Sequence, residues 1–88
     1  MTKTLRTPEH VYLCQRLRQV RVDAGLTQAD LAVRLDKPQS FVAKVETQER
    51  RLDLIEFVKW MMACDSIDAA HQTITALADG LQGEEQRP

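Results

Sequence analysis

Between Leu35 and Pro38 the chain has only Asp36 and Lys37, and the segments on both sides read as helix. Upstream, Leu31, Ala32 and Leu35 recur at helical spacing; downstream, Val42 and Val45 give the next segment one apolar stripe. Pro38 fits the start of that segment, because its fixed φ suits a first helical turn. A connection this short cannot fold two helices back against each other antiparallel, so it forces them to cross steeply. Ala32 supplies the small side chain needed where the second helix passes over the first, and Leu31, Leu35, Val42 and Val45 would hold the crossing together.

The rest of the sequence is compatible with helices alone. It holds three Gly and three Pro, no stretch alternates apolar and polar as a strand would, and helical spacing recurs throughout. Thr7-Pro8 starts a first helix carrying Leu13, Leu17, Val20 and Ala24, and Gly25 ends it. Thr27 caps a second, with Ala29, Leu31, Ala32 and Leu35, and the third runs from Pro38 to about Glu46. A polar connection, TQERRL, leads to Asp53, the cap of a fourth helix with apolar positions Leu54, Phe57, Val58, Met61 and Cys64. Asp65-Ser66 breaks and recaps the chain, and Ile67, Ala70, Ile74, Leu77, Ala78 and Leu81 mark a fifth. The expected architecture is all-α: a compact bundle of five short helices in one domain over residues 7–81, between a flexible segment 1–6 and a disordered tail 82–88.

Composition narrows the function classes. No apolar run approaches the length of a membrane span and the N-terminal MTKTLRTPEH lacks the apolar segment of a signal peptide, which points to the cytoplasm. Cys14 and Cys64 lie within helical patterns at no metal or disulfide spacing and read as reduced, half-buried thiols. His10 and His71 stand apart from other ligand types, so no metal or other cofactor is expected. There is no nucleophile–base constellation or phosphate-binding loop, which argues against an enzyme. The net charge of −1 hides an asymmetry. Residues 1–51 hold ten Lys/Arg against six Asp/Glu, whereas residues 52–88 hold two against seven. A basic first half suits a polyanionic partner, although surface charge can also cluster without one.

The stretch LTQADLAVRLDKPQSFVAKVE resembles the helix-turn-helix of the lambda-repressor-like, or Xre, family of DNA-binding regulators. Leu26, Thr27, Gln28, Leu31, Ala32, Leu35, Val42, Val45 and Glu46 all fall on the family pattern, and similarity extends from about Leu17 to Cys64. The following ERRLDLIEF resembles the family's connection into its fourth helix. The resemblance implies a five-helix lambda-repressor-like domain whose second and third helices form the helix-turn-helix. It further implies sequence-specific binding of double-stranded DNA, an ion pair between Arg21 and Glu46 that sets the angle of the third helix, and a phosphate contact from Gln28. The chain departs from the family twice: Asp36 stands where Gly is usual at the turn, and Thr47-Gln48 where Asn-Gly or Ser-Gly commonly follows the recognition helix. Aspartate tolerates a left-handed backbone better than most residues, so some strain and the same fold are expected at the turn.

A third helix of this size fits a major groove and offers its N-terminal residues to base edges. Gln39 is the first candidate for direct readout, since glutamine bonds bidentately to adenine; Ser40 can meet a base or a phosphate, and Lys44 guanine or backbone. Lys44 can equally be a solubilising surface charge. Phe41 lies about 40° from Val45 and about 60° from Lys44 around the helix, on the shoulder between core and groove. Both packing and a thymine-methyl contact are open to it. Thr27, Lys37, Arg50 and Arg51 are further phosphate candidates, with Arg16 and Arg18 behind them; Arg50 and Arg51 can instead pair with Glu49 in the loop.

Helix five is apolar along its length, and helix four adds Ile55, Trp60 and Met62 beyond its core stripe. A homodimer interface is therefore expected from Ile55, Trp60, Met62, Ile67, Ile74, Leu77 and Leu81, unless Trp60 and Ile74 close the core of one chain. Two recognition helices would then read a palindromic operator as a repressor does, with half-sites about 34 Å apart. Repressors, restriction-modification controllers and antitoxins with a toxin partner all use such a domain. The competing expectation is a protein-interaction module that keeps the fold and has lost DNA binding.

Overall fold

The computed structural model describes residues 7–85, with side chains described through Gln82. The chain forms α1 (Pro8–Asp23), α2 (Gln28–Leu35), α3 (Gln39–Glu46), α4 (Leu54–Ala63) and α5 (Ile67–Glu85), with no strand among the described residues. The expected flexible segment 1–6 lies outside them. α5 remains helical to Glu85, past residue 81, so residues 82–85 continue the helix and do not begin a tail; residues 86–88 lie outside the described range.

Side-chain oxygens start three of the helices. Thr7 accepts the His10 N–H, and Thr27 and Asp53 close full capping boxes with Asp30 and Glu56, satisfying amides that a helix start leaves unpaired. Pro38 is the N-cap of α3 in an extended conformation, one position before the helix it was expected to begin, and it offers no side-chain cap.

Four helix ends close alike. Gly25, Asp36, Gln48 and Asp65 all take positive φ, and in each case the next amide reaches back across the last turn. At the α2–α3 turn the Lys37 N–H donates to the Ala32 carbonyl at 3.0 Å and the Asp36 N–H to Val33 at 3.1 Å. Asp36, at φ 57°, thus adopts the left-handed conformation that glycine supplies elsewhere, and Gln48 does so after α3 at φ 72°.

Leu17 and Val20 of α1, Leu31 and Ala32 of α2, Val42 and Val45 of α3, and Phe57, Trp60 and Met61 of α4 form one buried core. α2 packs on α3 and α4, and α1 packs on α3 and α5, so the helix-turn-helix is supported from behind by the remaining helices. Arg34 adds a hydrogen bond of 2.8 Å to the Ala63 carbonyl, tying α2 to the end of α4.

The buried face of α4 differs from the expected stripe. Phe57, Trp60, Met61 and Cys64 point inward, while Leu54 and Val58 are exposed. Trp60 is consequently not an interface residue: it is 0% exposed, and its indole N–H donates to the Leu17 carbonyl at 3.2 Å. Burial of the large ring together with a satisfied N–H makes the interior its favoured place.

A second buried polar contact sits near the start of α1, where the His10 ring and the Cys14 thiol lie 3.6 Å apart. Burial, followed by the field of Arg51, lowers the His10 pKa from its ordinary 6.5, and burial raises that of Cys14. A depressed histidine contributes stability that is present above its unfolded pKa and lost as pH falls through the folded value. Stability should therefore decline on acidification below about pH 6.5, and His10→Gln should flatten that part of the profile in denaturant titrations run at successive pH values.

Candidate nucleic-acid interface

α3 divides cleanly by burial. Val42 and Val45 are 0% and 1% exposed, whereas Gln39, Ser40 and Lys44 stand on the solvent side. The valines fasten the helix to the core, which leaves the polar residues on its outer side. Those three are brought together on one short helix eight residues long.

Behind that face lies a buried polar network. Arg21 Nε donates to Glu46 at 2.6 Å and Arg21 Nη2 at 3.0 Å, a bidentate pair whose side chains are 9% and 3% exposed. Arg21 Nη1 also donates to the Leu26 carbonyl at 2.7 Å, and Gln28 Nε2 donates to Glu46 at 3.0 Å. The hydrogen bond to Glu46 is the main reason that the Arg21 pKa rises above its ordinary value. α1 and α2 thus meet the end of α3 on one carboxylate, and the loop before α2 is tied in through the Arg21 guanidinium. Gln28, expected at a phosphate, spends one amide hydrogen on this network and keeps a second.

Thr27 Oγ1 accepts the Asp30 N–H at 3.0 Å, and that capping box holds the Asp30 carboxyl below its usual pKa, chiefly through the Thr27 backbone N–H. Lys37 is exposed at the turn, and its Nζ lies 5.4 Å from the Phe41 ring centre. The guanidinium of Arg50 covers the same ring at 4.7 Å. Phe41 is half-buried and packs against the core, so the ring lies on the shoulder of α3.

Arg50 does not pair with Glu49, which instead accepts a hydrogen bond from the Thr47 hydroxyl at 2.7 Å. Its guanidinium donates to Glu56 at 3.1 and 3.0 Å. The Asp53 backbone N–H, and then Arg50, hold the Glu56 carboxyl below its usual pKa. Arg51 is exposed on the same connection. Glu56 is the residue that sequence reasoning passed over, although the spacing Asp53-x-x-Glu56 is that of a capping box and marks its place.

Of the expected interface residues, Ile55, Met62, Ile67, Ile74 and Leu81 are exposed, and Leu77 is half-buried. Among the described residues no group of His, Cys, Asp or Glu could hold a metal ion, and no helix is long and apolar enough to cross a membrane.

Comparison with known proteins places this geometry. A helix-turn-helix family model matches residues 17–69, which span α2, α3 and α4 and their flanks. No curated protein matches the sequence. Among solved structures, an XRE-family like protein from Pseudomonas syringae pv. tomato str. DC3000 is 40% identical, with a TM-score of 0.74 over 89% of this chain and 93% of that one. With its tight α2–α3 turn, its outward polar row and the match over most of its length, the chain belongs to the Xre family of helix-turn-helix DNA-binding regulators.

Proposed function

We propose that the chain is a homodimeric transcriptional repressor that places α3 in the major groove of a palindromic operator. The observation that carries this reading is the division of α3 into a core-fastened valine stripe and an exposed row of Gln39, Ser40 and Lys44. Gln39 reads adenine through its amide, Ser40 and Lys44 contact neighbouring bases or phosphates, and the exposed edge of Phe41 lies against the groove wall. Thr27, Gln28, Lys37 and Arg51 face the phosphates. One helix of this length meets too few base pairs for selective binding, so a second copy is needed. Ile55, Met62, Ile67, Ile74 and Leu81, with Leu77 at their edge, are the apolar surface available to it. The site of action would be the cytoplasm.

Selection of bound fragments from mixed genomic DNA, followed by gel shifts across a salt series, tests the proposal. Selective complexes whose affinity falls steeply with salt are expected, as phosphate contacts release counterions. Gln39→Ala should cost about 1–3 kcal/mol at one base position and relax selectivity there. An equal loss on every sequence would make Gln39 a backbone contact, and no enriched fragment would refute the regulator reading.

A further inference from the structure

The first turn of α3 has no side-chain cap: Pro38 has no side-chain oxygen, and only its backbone carbonyl accepts, from the Phe41 N–H at 3.0 Å. Val42 fastens that turn to the core, and Phe41 carries a second contact to it from elsewhere in the fold. Two cations cover its ring, and they differ in what holds them. Lys37 belongs to the turn leading into α3 and moves with it. Arg50 comes from the α3–α4 connection and is gripped by α4: both of its terminal nitrogens donate to the two oxygens of Glu56, at 3.1 and 3.0 Å. The same Glu56 carboxylate accepts the Asp53 N–H at 3.0 Å, so it is fixed by the cap of α4. A planar guanidinium can be held at its edge by a carboxylate and still lay its face on an aromatic ring, which an ammonium cannot do.

We infer that Arg50 is a positioning residue for operator recognition. Through Phe41 it fixes the first turn of α3, the turn that carries Gln39 and Ser40, against the first turn of α4. Its charge is spent on Glu56, so it is not one of the phosphate-binding cations. This role rests on the DNA-binding reading proposed above. Selectivity between operator and unrelated DNA would thus depend on a contact that touches neither bases nor backbone.

The test compares Arg50→Ala, Arg50→Lys and Glu56→Gln in the full chain, with thermal melts to show that each variant is folded. Glu56→Gln keeps a residue able to serve the capping box while breaking the two-oxygen grip on the guanidinium. Each variant is titrated with operator and unrelated duplexes across a salt series. The operator-to-unrelated affinity ratio should fall roughly two- to fivefold in all three, the scale of an exposed cation–π contact. The slope of affinity against salt should stay at the wild-type value, and lysine should not rescue. The role is overturned if Arg50→Ala lowers the salt slope by about one while lysine restores it, the behaviour of a phosphate contact. Tighter binding by Glu56→Gln, or wild-type selectivity in Arg50→Ala, overturns it too. Should Arg50→Ala fail to fold, the lysine and glutamine variants decide alone. A wild-type chain that selects no DNA refutes the regulator reading and this role together, whereas the preceding outcomes refute this role only.

Discussion

Trp60→Ala should remove about 3–5 kcal/mol of stability, the range for emptying a large aromatic site in a packed core. Trp60 is 0% exposed and lies among Leu17, Leu31, Val42 and Met61 in the core cluster, so its truncation leaves a cavity where α1, α2, α3 and α4 converge. For a domain of this size each kcal/mol shifts the melting temperature by about 4–8 °C, so the variant should melt far below the wild type. Trp60→Phe should fall between the two, since it keeps an apolar ring but loses volume and the bond from the indole N–H to the Leu17 carbonyl. Trp60 is the sole tryptophan, which gives a direct check on its place. Its emission should shift red on denaturation and stay fixed when the folded protein is diluted. A shift on dilution, with the fold retained, would put the ring at an interface after all.

The displacement of Trp60 from interface to core illustrates what periodicity can and cannot resolve. Polar residues make up half of α1 and half of α3, so Leu17 and Val20, or Val42 and Val45, leave only one inward face. α4 reads LIEFVKWMMA, apolar nearly all the way round, and several stripes satisfy helical spacing equally well. Packing selects Phe57, Trp60, Met61 and Cys64, because the tryptophan ring is the group whose burial is worth most and whose N–H finds a carbonyl there. Leu54 and Val58 are left exposed as a result.

The turn chemistry was legible for a different reason. A two-residue gap between helices can close in few ways, and a left-handed residue after the first helix is among the best of them. Asp36 takes that conformation although it lacks the freedom of glycine, and Gln48 does the same where the family commonly has Gly. Tertiary packing on both sides of each turn outweighs the local cost of about 1–2 kcal/mol for a left-handed side-chain-bearing residue. The clamp on Phe41 was harder to foresee. It needs Lys37, Phe41, Arg50 and Glu56 at once, and no single helical period joins positions from a turn, a helix, a loop and the next helix.

Breaking the buried pair beneath α3 should have an effect as large as emptying the tryptophan site, and the pattern of rescue separates its two roles. Arg21→Met leaves the Glu46 carboxylate, 3% exposed, with only the Gln28 amide as donor. An uncompensated buried charge of this kind costs about 3–5 kcal/mol. Glu46→Leu alone strands the guanidinium, which retains one bond to the Leu26 carbonyl, and should cost a similar amount. Combining the two changes removes both charges, and apolar replacements of buried pairs are often neutral or stabilising. The double variant should therefore recover most of the stability in urea titrations, short of the bonds lost by Gln28 and Leu26. Strong non-additivity is the expected signature of residues acting through one contact. Operator selectivity should not recover with stability. Two directional bonds from Arg21 and a third from Gln28 fix the end of α3 at a set angle, and a methionine–leucine contact is tolerant of rotation. A double variant that is as stable as the wild type but reads its operator less selectively would assign the pair to orienting the recognition helix. Full recovery of both properties would reduce it to a packing element.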